Sequence, residues 1–315
     1  MIISNKENSV VCVDRLNILP QHKLVLQSCA NTVFYEDLPN DSQIVDRVAC
    51  ATIAIVNRVK VSKVFLENAV NLKYLITSNV GYDNVNLELA SSYKVKVINC
   101  PTYCSDATAE HTIGLLFSII RKIVEANLDI RNGYWRKNLY TGMELKGRTI
   151  CLIGKGNVGT RVGKIALSLG LNVSYVTKET PFSEIESLVS NADVISLHIP
   201  LNYKTHHFFN AKLISLMKKK AYLINTSRGG IIDQDFLFEA LKSNLIAGAA
   251  LDVFAEEPID NKTNYSINEL ACLDNVVVTP HIGFRTEESL WKLGEELLKN
   301  VKSCLEGNAI NVVQI

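Results

Sequence analysis

The chain has no excess of charge of either sign. Its 33 Lys and Arg residues balance 32 Asp and Glu residues over 315 positions, leaving a net charge of +1. A whole-surface attraction to nucleic acid or to an anionic membrane is therefore not expected. The one short basic run, residues 218–220, reads as a solvated helix end. Long apolar runs are missing as well. Residues 113–120 are apolar, but His111 precedes them and Arg121-Lys122 closes them, which is too short to span a bilayer. The first residues, with Asn5, Lys6, Glu7 and Asn8, contain no apolar signal-peptide core. Eight cysteines are scattered through mostly apolar segments, with no C-x-x-C and no Cys/His zinc spacing. Reduced thiols in a cytoplasmic protein without a metal site are the expectation. There is no low-complexity tract and no short-period repeat.

What is present is an alternation of short apolar runs with amphipathic ones. In the first hundred residues, strands are expected at 10–13, 32–35, 53–56, 74–77 and 95–99. Helices are expected around 24–30, 44–50, 63–69 and 87–93. Pro101 stops the extended run. One long helix is then expected from 106 to 131, with Asn132-Gly133 closing it. The alternation restarts, with strands expected at 149–153, 172–176, 193–197, 221–225, 246–251 and 275–279. Helices between them are expected near 158–169, 183–190, 211–217 and 233–243, and a last amphipathic helix over 287–305. Strands alternating with helices predict an α/β fold with parallel sheets in two domains. Trp135 and Trp291 are expected at domain or subunit surfaces, and His206 and His207 on the surface.

The second half opens on a strand, the glycines Gly154, Gly156 and Gly159 in G-x-G-x-x-G spacing, and a helix. That layout holds a pyrophosphate: the first glycine turns the chain, the second admits the phosphate and the third lets helix and strand pack. The helix start, at Asn157 and Val158, offers N–H groups and the positive end of a dipole. Three more pieces end predicted strands, where such sheets bind ligands. They are Arg228 after 221–225, Asp252 and Glu257 after 246–251, and His281 after 275–279. A guanidinium can fork onto a carboxylate and polarise a carbonyl. An imidazole can move a proton near neutral pH, and a carboxylate beside it can orient it. With a nicotinamide these groups suit reduction of a 2-oxo acid to a 2-hydroxy acid.

The order of these pieces resembles the D-isomer-specific 2-hydroxyacid dehydrogenase family from about residue 50 onward. The matching stretches are the glycine motif 154–159, His198-Ile199-Pro200, Asn225 to Gly230, Leu251 to Pro258, and Thr279 to Gly283. Residues 79–85 are similar to the family's substrate loop and Thr108-Ala109-Glu110-His111 to the start of its inter-domain helix. The resemblance implies two Rossmann-like domains, the cofactor domain inserted into a discontinuous substrate domain. The expected boundaries are 1–100 and 284–315 for the substrate domain and 101–283 for the NAD(P)-binding domain. It implies that Arg228 binds the substrate carboxylate, that His281 is the acid/base paired with Glu257, and that backbone around Val80 and Gly81 also holds the carboxylate. Asp252 would contact the nicotinamide amide, and Thr108, His198, Pro200 and Thr226 would line the cofactor. It implies a homodimer as well.

One position departs from the usual NAD pattern. Thr177 stands where an acidic residue commonly ends the second strand, with Lys178 and Glu179 after it. NAD and NADP both stay open. On the substrate side, Asn57-Arg58-Val59 is similar to hydroxypyruvate or glycerate dehydrogenases of the family, and glyoxylate or hydroxypyruvate is the expected substrate. Arg58 or Lys60 could instead reach a phosphate, as in phosphoglycerate dehydrogenases, although no extra C-terminal regulatory domain is expected here. A non-catalytic dinucleotide sensor and a relative using another hydride donor, such as phosphite or formate, are the remaining alternatives.

Overall fold

A computed structural model describes residues 9–258 and 269–314. Asn5, Lys6, Glu7 and Asn8 lie outside the described residues. The chain forms two compact units, one of Met1–Cys104 with Arg285–Ile315, the other of Ser105–Phe284.

In the first unit, strands β1 (Ser9–Cys12), β2 (Asn31–Phe34), β3 (Ile53–Val56), β4 (Tyr74–Thr77) and β5 (Lys96–Ile98) form one parallel sheet in the order β2-β1-β3-β4-β5. Helices α1 (Pro20–Cys29), α2 (Asp41–Val48), α3 (Lys63–Asn68) and α4 (Leu87–Ser92) connect them. The sequence of β3, Ile-Ala-Ile-Val, is buried at all four positions, as a central strand covered on both faces requires. The edge strand β2 alternates between exposed and half-buried positions. The C-terminal segment returns to this unit: Val313 N–H donates to the Val97 carbonyl at 2.8 Å, beside an antiparallel bridge between Ile98 and Val312.

The second unit starts with α5 (Ser105–Ile120) and α6 (Ile123–Arg131). The single helix expected over 106–131 is thus two helices. Lys122 takes a left-handed conformation, φ 57°, and the carbonyl of Ile120 accepts the N–H of Met143 at 3.0 Å instead of a helical one. The apolar periodicity runs through this break, because side-chain pattern carries no record of a loop capping a carbonyl. Gly133, at φ 81°, ends α6 as its sequence suggested.

Strands β6 (Thr149–Ile153), β7 (Asn172–Val176), β8 (Val194–Leu197), β9 (Tyr222–Asn225), β10 (Gly248–Leu251) and β11 (Val276–Val278) then form a parallel sheet in the order β11-β10-β9-β8-β6-β7. Alternate residues of β6 serve two cores. Cys151 and Ile153 join α8 (Phe182–Asn191), α9 (Ala211–Leu216) and α10 (Gln234–Lys242) on one face. Ile150 and Leu152 join α5 and α7 (Asn157–Ser168) on the other. The strand order reverses between β6 and β8, which leaves a crevice at their carboxyl ends. In the first unit α11 (Glu287–Leu305) has the expected bounds, and Thr286 caps it by accepting the N–H of Ser289 at 3.1 Å.

Candidate active site

The glycine turn sits at that crevice. Gly154 has φ 111°, and a Cβ there would run into the carbonyl oxygen of His198. A Cβ on Gly159 would strike the carbonyl of Gly154, so the third glycine lets α7 close on the turn. Gly156 has open space where its Cβ would be, and it starts α7 with no side-chain cap. Asn157 and Val158 follow as the first helical residues. An uncapped first turn facing open space fits a dinucleotide's pyrophosphate.

Next to the turn, His198 follows β8. Its Nε2 is 2.9 Å from Ser196 Oγ, while its Nδ1 is buried with no hydrogen-bond partner. Burial drives its pKa from 6.5 down to about 3, so the ring is neutral. Pro200 is exposed, and its carbonyl accepts the hydroxyl of Thr205 at 2.6 Å. Thr177, at the end of β7, is folded into a turn in which its N–H donates to Thr180 Oγ1 at 2.9 Å. Lys178 projects into solvent, its Nζ 3.8 Å from Glu179.

The second cluster lies at the carboxyl ends of β9, β10 and β11, three neighbouring strands. Arg228 follows β9 in extended backbone. The Asn225 side chain donates to its carbonyl at 2.9 Å and Ser227 Oγ donates to the Leu197 carbonyl at 2.7 Å, which fixes the turn. Gly229 comes next, where a Cβ would overlap the backbone of Phe254 and Ala255. The loops after β9 and β10 are therefore pressed together backbone to backbone, and only glycine permits it. Glu257 bridges onward: its Oε1 accepts the N–H of Phe254 at 3.2 Å, and its Oε2 is 2.7 Å from Nδ1 of His281. With Nδ1 engaged, Nε2 is the ring nitrogen left to face a reacting group.

His281 has φ 54°, a left-handed conformation uncommon for a side-chain-bearing residue. Asp252 holds it there. The backbone carbonyl of Asp252 accepts the His281 N–H at 2.8 Å; Oδ1 accepts the Ile282 N–H at 2.9 Å and the Thr279 hydroxyl at 2.5 Å; Oδ2 accepts the Gly283 N–H at 2.8 Å. His111 on α5 adds Nε2 at 3.3 Å from Oδ1 and 3.0 Å from the Thr279 hydroxyl. Burial opposes the charge of this carboxylate, but these donors outweigh it and hold its pKa below the ordinary value. One turn away, the Thr112 hydroxyl donates to the Thr108 carbonyl at 2.7 Å and lies 2.8 Å from the Thr226 hydroxyl. Helix α5 therefore ties down the loops after β9, β10 and β11 with Thr112, His111 and their partners. Sequence reasoning left His111 and Thr112 without a role. Their spacing from Thr108, three and four residues, was the available signal, since it puts all three on one stretch of helix face.

In the first unit, Asn57 follows β3 and Val80-Gly81 follow β4. Asn57 donates its amide to the Arg15 carbonyl at 2.8 Å, and the Val80 carbonyl accepts the Asn99 amide at 2.7 Å. Among the described residues no cluster of three His, Cys, Asp or Glu side chains could hold a metal ion.

Residues 113–283 match the family model described as the D-isomer specific 2-hydroxyacid dehydrogenase, NAD binding domain. The chain belongs to this family. The dehydrogenase is 38% identical over 265 residues to a protein named glyoxylate reductase from Thermococcus litoralis, covering 79% of this chain and 78% of that one. It is 37% identical over 286 residues to a protein named D-3-phosphoglycerate dehydrogenase from Methanocaldococcus jannaschii, covering 87% of this chain and 53% of that one. Among solved structures, an acyclic imino acid reductase (Bsp5) in complex with NADPH and D-Arg superposes with a TM-score of 0.89 at 33% identity. That match covers 97% of this chain and 100% of the other. Membership makes the dehydrogenase an oxidoreductase of 2-hydroxy acids with NAD or NADP as its cofactor.

Proposed function

We propose that this dehydrogenase reduces a small 2-oxo acid, glyoxylate or hydroxypyruvate, to the D-2-hydroxy acid. The observation that carries the reading is the convergence of Arg228 with the Glu257–His281 pair, 2.7 Å apart, on adjacent strand ends. Arg228 grips the substrate carboxylate and polarises the neighbouring carbonyl. His281 delivers a proton from Nε2 to the carbonyl oxygen as the alcohol forms, and Glu257 at Nδ1 stabilises the protonated ring. In the reverse direction His281 removes that proton. The dinucleotide, when bound, supplies the hydride that adds to the carbonyl carbon. Gly154, Gly156, Asn157, Val158 and Gly159 hold its pyrophosphate, and Thr108, His198, Pro200 and Thr226 line its path, with Asp252 at the nicotinamide amide. Backbone at Val80 and Gly81 shares the substrate carboxylate, and Asn57 borders the reacting carbon. In this reading Ser105–Phe284 is the cofactor unit and the other unit serves the substrate.

NADP is accepted because Thr177 and Lys178 put a neutral side chain and a cation where an acid would repel a 2′-phosphate. The likeness to a glyoxylate reductase over most of both chains supports the small substrate. The eight scattered cysteines, with no C-x-x-C and no zinc spacing, support work in the reducing cytoplasm. A homodimer is proposed through α6 and the segment after it, where Leu128, Ile130, Trp135 and Leu139 stand exposed.

The test is a panel of 2-oxo acids run with NADPH and with NADH. Glyoxylate or hydroxypyruvate should give the highest kcat/KM, with NADPH turned over at least as well as NADH. Turnover of 3-phosphohydroxypyruvate alone would move the assignment to a phosphoglycerate dehydrogenase. A strong NADH preference would remove the argument from Thr177 and Lys178.

A further inference from the structure

The first unit repeats the parallel α/β plan but has no glycine motif. Its strand order, β2-β1-β3-β4-β5, also reverses once, between β1 and β3. In such sheets that point opens a crevice in which an anionic ligand can meet backbone N–H groups. Here the crevice holds a group of the chain itself. Asp14, two residues past β1 and 2% exposed, accepts the N–H of Asn57 at 2.8 Å on Oδ1, and those of Arg58 at 2.6 Å and Val59 at 3.2 Å on Oδ2. Three successive N–H groups turned onto one carboxylate form an anion nest.

From this nest a chain of hydrogen bonds leads to the 79–81 loop. The carbonyl of Asn57 accepts the Asn79 amide at 2.8 Å, and that of Val59 accepts the Asn84 amide at 2.8 Å. The carbonyl of Asn79 accepts the Cys100 N–H at 2.9 Å, and that of Val80 the Asn99 amide. The loop at 79–84 is thus tied on one side to residues 57–59, whose shape depends on the Asp14 carboxylate. We infer that Asp14 is a positioning residue for substrate: its buried carboxylate fills the 57–59 nest and thereby sets the backbone at Val80 and Gly81. The inference rests on the assignment of those two residues to the substrate carboxylate. Burial raises the pKa of Asp14 although the three N–H groups oppose it, so the charge is kept in the fold at some cost. An apolar or amide side chain would avoid that cost but would leave N–H groups of the nest unsatisfied.

The experiment compares wild-type protein with Asp14→Ala and Asp14→Asn. In Asp14→Ala, kcat/KM for glyoxylate should fall about ten-fold or more, while the Kd of NADPH, read by nicotinamide fluorescence, stays within about two-fold. A residue that only supports folding would weaken both together with the Tm. Asp14→Asn keeps the volume and one acceptor, and is expected to fall between the two, so the comparison survives if Asp14→Ala does not fold. Formate, a small carboxylate able to occupy the emptied nest, should raise the Tm of Asp14→Ala by more than that of the wild type, which offers it only the substrate carboxylate site. Unchanged kcat/KM in both variants, or an equal Tm response to formate in variant and wild type, would overturn the inference. A wild-type protein that turns over no 2-oxo acid would sink the functional reading instead, and the formate arm would still report on the nest.

Discussion

At Arg228 charge and backbone geometry are set by separate residues. The guanidinium Nη1 donates to the Ser227 carbonyl at 2.8 Å, while Asn225 and Gly229 place the backbone that carries it. Removing the side chain should therefore leave the turn intact. In Arg228→Ala we expect kcat/KM for the preferred 2-oxo acid to fall about 100-fold, ~2.7 kcal/mol, for the loss of a charge-assisted fork. The Kd of NADPH should change by less than about two-fold, because the dinucleotide is assigned to the glycine turn. Equal weakening of substrate and cofactor would contradict that division. The placement of Arg228, Glu257 and His281 was legible in the sequence because each lies within a few residues of the end of an apolar strand, and the ends of β9, β10 and β11 are neighbours in the sheet. The positive φ of His281 and its bonds to Asp252 were not legible. They depend on the Ile282 and Gly283 N–H groups meeting the Asp252 carboxylate while the His281 N–H meets its backbone carbonyl, which no spacing rule describes. Asp14 was unreadable for the same reason: its partners are more than forty residues away in sequence.

Among the elements, β8 and the glycine turn act as one piece. The carbonyl of His198 fills the place a Cβ on Gly154 would need, and the Cβ of His198 lies 3.4 Å from where one on Gly159 would be. The strands of this sheet were readable almost residue for residue, since burial on both faces makes the inner strands β6, β8 and β10 continuous apolar runs. The division of the long helix into α5 and α6 was not, because it is imposed by the segment that returns at Met143. The packing of β8 has a consequence for acid stability. His198 is neutral in the folded chain down to about pH 3, whereas in the unfolded chain it takes a proton below about pH 6.5. The unfolded state therefore binds more protons between these values. The contribution of His198 to stability is complete above about pH 6.5 and declines by roughly 1.4 kcal/mol per pH unit below it. Unfolding free energies from urea titrations at about pH 7.5 and pH 5 should differ by about 2 kcal/mol more in wild type than in His198→Asn. An identical pH response in the two proteins would mean that the ring is not kept neutral.

For the whole molecule, the segment from Ile123 to Leu139 is difficult to explain in a monomer. Trp135 is 82% exposed, and Leu128, Ile130, Tyr134 and Leu139 are more than half exposed nearby in sequence. The segment is nevertheless well braced. Asp129 accepts from Arg136 Nε at 2.6 Å and also from the Tyr140 hydroxyl, and the Arg136 guanidinium lies 4.6 Å over the Tyr134 ring. These donors hold the Asp129 carboxyl below its ordinary pKa. A braced display of aromatic and aliphatic side chains costs little entropy on association and has the composition of an interface centre. If a second copy of this chain covers it, Trp135 is the expected hot spot, because it has the most surface to lose. Replacing it by Glu should cost about 2 kcal/mol or more and weaken the dimer about 30-fold or more. Light scattering on protein at micromolar concentration should report a dimer of the wild-type chain and a shift towards monomer for Trp135→Glu, with Leu128→Glu acting in the same direction. Wild-type protein that is monomeric throughout that range, or a Trp135→Glu variant as dimeric as its parent, would show that this face is not the interface between two copies.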